Sequence, residues 1–62
     1  MNERERDART LITICRSILD RCCQDLEPHL ALELAAICAD TTLTITEATK
    51  TEARALLEEA AA

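Results

Sequence analysis

Apolar residues cover a broad arc in the first half of this chain and almost the whole circumference in the second. From Ala8 onward the apolar positions are Leu11, Ile12, Ile14, Cys15, Ile18, Leu19, Cys22, Cys23 and Leu26. Wound at about 100° per residue they span roughly 180°, which predicts an amphipathic helix over residues 3–26. Asn2 can cap its start, and Glu3, Glu5 and Asp7 sit where the helix dipole favours negative charge.

The chain has no Gly, and its single Pro is Pro28. Proline is accepted in the first turn of a helix and breaks its interior, so the chain divides at residues 26–28 and a second helix begins at 28. Between Pro28 and Asp40 the polar positions are His29, Glu33 and Asp40. Glu33, Asp40, Glu47 and Arg54 then recur every seven residues. With His29, Thr51 and Glu58 they form one narrow polar stripe on a continuous helix.

The run Thr41-Thr42-Leu43-Thr44-Ile45-Thr46 interrupts this regularity. Its alternation looks strand-like, but a lone strand would have no pairing partner. A break is the alternative, with Asp40 or Thr41 ending one helix and Thr44-x-x-Glu47 capping the next. The continuous polar stripe and the absence of Gly, Asn or Pro here favour one helix over residues 28–59, kinked at most at 41–44. The expected fold is therefore all-α: a single-domain antiparallel helical hairpin over residues 1–62. Facing residue numbers would add to about 56, bringing Arg9 near Glu47 and Arg4 near Glu52.

A two-helix hairpin needs only about 100° of apolar face on each helix. The surplus predicts self-association, a homodimer first, in which two hairpins close a four-helix bundle. Its core would comprise Leu11, Cys15, Ile18, Leu19, Cys22, Leu26, Leu30, Leu34, Ile37 and Ile45.

Composition narrows the function. Aromatic residues and Val are absent, so the core rests on nine Leu, five Ile, eleven Ala and four Cys. The net charge is −5, with residues 1–21 at +1 and residues 22–62 at −6. An acidic chain without aromatics is poorly suited to general nucleic-acid or membrane binding and better suited to a protein partner. Acids at Glu33, Asp40, Glu47, Glu52 and Glu58 form the candidate partner surface. No secretory signal or membrane span is read, and the cysteines are expected to be reduced thiols of a cytoplasmic chain.

Candidate chemistry is sparse. Cys22, Cys23, His29 and Cys38 match a zinc ligand set but lack the close Cys pairing of ordinary sites. Ser17, the only Ser, has no His within reach on its helix, and a phosphate loop needs Gly. No enzyme, metal or cofactor is expected. The leading reading is a small non-enzymatic interaction module, an oligomeric regulator or inhibitor similar in composition to small phage or plasmid proteins. The rival is an RNA or anionic-ligand binder using Arg6, Arg9 and Arg16.

The turn position, the antiparallel hairpin and the Ile37-Cys38 pair resemble the Rop family of plasmid RNA-binding proteins. That resemblance implies a dimer of hairpins in a four-helix bundle. The family places an aromatic residue on its RNA-facing helix, and this chain has none.

Overall fold

The computed structural model describes residues 2–22 and 26–61, all-helical with no strand among them. Three helices follow one another: α1 Glu3–Cys22, α2 Pro28–Cys38 and α3 Glu47–Ala61. Asn2 caps α1 as its side chain allows, Oδ1 accepting the Glu5 N–H at 2.8 Å. The helix is shorter than the apolar arc predicts. Residues 23–25 lie outside the described residues, and Leu26 and Glu27 are not helical. The residue before a proline is pushed out of the helical region. Glu27 accordingly has φ −60 and ψ 145, and Pro28 opens α2. The Glu27 carbonyl accepts the N–H groups of Leu30 and Ala31 at 3.0 and 3.1 Å.

The single long helix over residues 28–59 is not observed. α2 stops at Cys38 and α3 begins at Glu47. The cause is local competition for backbone hydrogen bonds. Asp40 Oδ1 accepts the Thr42 N–H at 3.2 Å and its hydroxyl at 2.8 Å, and Oδ2 accepts the Thr44 hydroxyl at 3.3 Å. These bonds stabilise a turn in place of the helical ladder. Lacking Gly, the turn places a left-handed conformation on Leu43, at φ 65. That conformation costs a non-glycine residue about 1–2 kcal/mol. Asn tolerates it better, so Leu43→Asn should raise stability by about 0.5–1 kcal/mol. A higher urea midpoint at constant slope is the expected readout, and a lower one contradicts the turn geometry.

Reversal at residues 39–46 changes how the helices meet. Side-chain bonds between α1 and the segment from Thr44 onward join residues 40 to 44 apart: Arg4 to Thr44, Glu5 to Thr49, Arg16 to Glu59. A near-constant offset means that α1 and α3 run parallel, so the expected pairing of Arg9 with Glu47 and Arg4 with Glu52 does not form. The molecule is an up-down-up bundle with extents of 31 × 19 × 17 Å. A continuous helix over residues 28–59 would alone have run about 48 Å.

Ala8, Ile12 and Cys15 of α1 form the core with Leu26, Leu34 and Ile37, then Ile45, Ala53 and Leu56. Leu11, Ile18, Leu19 and Leu30 pack against it, partly buried. The side chain of Cys22 lies outside the described residues. The broad apolar arc of α1 is thus flanked by α2 and α3 of the same chain. Ile14, at the edge of that arc, is left 47 % exposed.

Candidate functional site

The most organised polar group in the molecule was not singled out by the sequence pattern. Glu5, in the first turn of α1, is 5 % exposed and points at the start of α3. Its Oε1 accepts the Thr46 N–H at 2.9 Å, and its Oε2 accepts the Thr49 hydroxyl at 2.6 Å and Arg9 Nε at 3.0 Å. Thr46 itself caps α3, Oγ1 accepting the Thr49 N–H at 3.3 Å. In a capping box the acid that satisfies the N-cap amide comes from three residues downstream. Here that position is Thr49, and the carboxylate arrives from another helix. Hydrogen bonds from the Thr49 hydroxyl and the Thr46 N–H hold the Glu5 pKa at about 2, against the opposing effect of burial. The signal available in sequence was spacing: Glu5 lies seven residues before Ile12 and fourteen before Leu19, on the core side of α1.

A second cluster fastens the turn. Asp40, with a side chain 3 % exposed, faces Arg4 Nη2 at 3.6 Å. Asn2 Nδ2 donates to the Thr44 carbonyl at 2.8 Å, and Arg4 Nε donates to the Thr44 hydroxyl at 2.9 Å. The Asp40 carboxyl is held below its ordinary value, first by the Thr42 hydroxyl and then, against burial, by the Thr42 N–H and Arg4. Asn2, Arg4 and Glu5 therefore clasp the α2–α3 turn from the first turns of α1.

These contacts redistribute the candidate site residues. Asp40 is buried and bonded within the chain, so it is withdrawn from the accessible acidic stripe. Glu33, Glu47, Glu52 and Glu58 are exposed. Glu47 and Glu58 share the outer face of α3, whereas Glu52 lies about 140° from Glu47 around that helix. Glu33 instead lines a shallow groove of about 250 Å³ between α1 and α2, with Arg4, Asp7, Leu11 and Ala36. Of the candidate anion-binding arginines, Arg9 bonds Glu5, and Arg16 Nη1 meets Glu59 Oε2 at 2.7 Å. Arg6 is exposed, about 60–80° around α1 from Arg9 and Arg16.

The cysteines do not gather. Cys15 is fully buried, and burial, with Glu33 nearby, raises its pKa. Cys38 Sγ donates to the Lys50 carbonyl at 3.7 Å. Cys23 and the side chain of Cys22 lie outside the described residues, so the zinc grouping with His29 does too. His29 Nδ1 lies 3.3 Å from Glu27 Oε2 at the surface. Among the described residues no cluster of three His, Cys, Asp or Glu side chains could hold a metal ion. No described helix is long and apolar enough to cross a membrane.

The three helices differ most in what they turn outward. On α1 the outer residues are Arg6, Thr10, Thr13, Ser17 and Asp20 with Ile14 beside them at 47 % exposure, and on α3 they are Glu47, Thr51, Arg54 and Glu58. On α2 and its C-cap the exposed apolar residues are Pro28, Leu32, Ala35, Ala36 and Ala39, with Leu32 at 71 %, beside the exposed His29 and Glu33. Those five fall within about 100° of arc and include no polar side chain. Compared with models of known families, with characterised proteins and with solved structures, the chain matches none.

Proposed function

We propose that this chain is a small non-enzymatic interaction module, an oligomeric regulator or inhibitor that acts by occupying the surface of a partner protein. The observation that carries this reading is the outer face of α2. α1 and α3 turn mainly charged and hydroxylated residues to water, Ile14 apart, whereas α2 and its C-cap turn out Leu32, Ala35, Ala36 and Ala39 beside His29 and Glu33. A contiguous apolar face rimmed by polar residues is characteristic of a contact surface. The acidic outer face of α3 adds charge that would steer the chain toward a basic partner.

The buried polar groups fit this reading. Glu5, Asp40, Thr46 and Thr49 spend their hydrogen bonds on one another and on the backbone, holding α3 against α1. They build shape rather than a reactive centre. The RNA-binding alternative loses support from the same geometry, because Arg9 and Arg16 are engaged by Glu5 and Glu59.

Affinity capture from an extract of the source cells, with the wild-type chain as bait, tests the proposal. Two variants separate the surfaces: Leu32→Glu on α2, and the pair Glu47→Lys with Glu58→Lys on α3. Retention of a specific protein should fall by about tenfold or more in at least one of them, equivalent to 1.4 kcal/mol, with helicity unchanged. Capture of the same proteins by all three baits would overturn the reading. So would retention of RNA that weakens steeply with salt.

A further inference from the structure

We infer that residues 39–46 are a hinge that opens into helix at high concentration, so that two copies exchange their third helices. Each α3 then packs on the α1 and α2 of the other chain. The inference stands on the fold alone and is independent of what the chain binds.

The hinge is a strained turn made of residues that can be helical. Between Pro28 and Ala61 there is no Gly, Asn or further Pro. The left-handed conformation falls on Leu43, at φ 65, and its side chain is 89 % exposed, so little packing holds it there. A strained connection of this kind favours exchange of an element between identical chains. Opening it removes the strain and gives up the bonds from Asp40 to Thr42 and Thr44 and from Asn2 and Arg4 to Thr44. Those bonds favour the closed bundle in the dilute chain, and mass action favours exchange in the concentrated one.

The buried residues keep one face when the hinge is helical. Leu34, Ile45 and Leu56 are buried in the closed bundle and lie eleven residues apart. On a continuous helix each is turned only about 20° from the one before, so the three form a single apolar seam. The stripe of Glu33, Asp40, Glu47 and Arg54 falls on the other side, toward water. Opening therefore leaves the cores of α2 and α3 usable without repacking.

The register of the bundle also suits a closed pair. Cys38 Sγ donates to the Lys50 carbonyl, and both residues lie six positions from Thr44. Two opened helices that keep this register lie antiparallel along their whole length, with the twofold axis at Thr44. Asn2 reaches the Thr44 carbonyl, so α1 begins level with that axis. The two copies of α1 then extend away from the middle in opposite directions and do not overlap.

The contact between copies is the core itself, in which Ala53 and Leu56 pack with Ala8, Ile12, Cys15 and Leu34. Each end of the dimer holds one full set of helices and so the charge of one chain, −5. A bundle 31 Å long sets the two ends farther apart than the screening length of about 8 Å at physiological salt. Like charge therefore opposes this dimer little.

Refolding from urea at about 5 µM and at about 1 mM, followed by sedimentation velocity, tests the inference. The wild type should be monomeric after the first and partly dimeric after the second. Thr42→Ala with Thr44→Ala, which removes turn bonds and strengthens helix, should tighten the dimer at least about tenfold. Leu43→Gly, which relieves the left-handed strain and disfavours helix, should weaken it by at least as much. Isotope-filtered NMR on a dimer refolded from equal labelled and unlabelled chains reads the exchange directly. It should join Glu5 of one copy to Thr49 of the other, a pair that lies within one chain in the closed bundle. A wild type that refolds only as monomer at the higher concentration overturns the inference. So does a dimer in which Glu5 and Thr49 meet only within one chain, or one unchanged by Leu43→Gly.

Discussion

Leu34→Ala should leave the chain largely unfolded at room temperature, and Leu56→Ala should do the same. Both side chains are fully buried, one on α2 and one on α3. Truncating a buried leucine costs about 2–5 kcal/mol through lost transfer energy and the cavity left behind. A domain of this size commands only about 3–9 kcal/mol in total. Helical signal at 222 nm during a urea titration gives the comparison directly. Leu32→Ala, at a side chain 71 % exposed, should stay within about 0.5 kcal/mol of the wild type. Leu56 is the more discriminating site. In a continuous hairpin it would lie near a fraying end, where truncation costs little. A small effect there, beside a large one at Leu34, would contradict the three-helix arrangement.

Glu5→Gln should give the second large effect and change its dependence on pH. The Glu5 carboxyl has its pKa lowered from 4.5 to about 2 in the folded chain. A depressed folded pKa means that the unfolded chain takes up the proton first as pH falls. The stabilisation is therefore complete above about pH 4.5 and is lost as pH drops from there through about 2. Asp40, also depressed, acts in the same direction over the acid range. The wild-type melting temperature should be level from neutral pH down to about pH 5 and fall steeply below it. Glu5→Gln should melt lower at neutral pH, because an amide cannot accept from Thr46, Thr49 and Arg9 together. It should also lose most of the acid slope, leaving the part due to Asp40. Parallel curves for the two proteins would show that the carboxylate does not hold α3 in place.

Much of the architecture follows from rules that act within a few residues. The Asn2 cap, the start of α2 at Pro28 and the all-helical class are each set by local backbone constraints. Among the expected core positions, Cys15, Leu26, Leu34, Ile37 and Ile45 are buried, and Leu11, Ile18, Leu19 and Leu30 are partly so. No Gly, Asn or Pro marks the α2–α3 break, so the sequence pattern favours a long helix there. Asp40 and the threonines supply the break instead, through side-chain bonds that compete with the helical ladder. Asp40 misled in a second way, since its place in a seven-residue stripe made it look solvated. Once the chain reverses after it, that stripe no longer exists as one surface.

Glu5 was hidden for a different reason. A capping acid is sought three residues beyond the threonine it serves, and this one precedes it by 41 residues. Only the parallel packing of α1 on α3 brings it there, and that packing depends on the break. The uncovered face of α2 follows from the same event. An α2 that is apolar on nearly all sides implies burial all round, and the observed bundle buries only the side bearing Leu34 and Ile37.

Asn2, Arg4 and Glu5 clasp a reversal of the chain at residues 39–46, so that α1 and α3 run parallel and the outer face of α2 is left bare. Solution NMR on the dilute chain tests it most directly, through backbone chemical shifts and proton–proton contacts. Expected are non-helical shifts from Asp40 to Ile45, a positive φ at Leu43, and contacts joining the Glu5 side chain to Thr46 and Thr49. Unbroken helical shifts from Pro28 through Leu57, with Arg9 beside Glu47, would contradict it and restore the long hairpin.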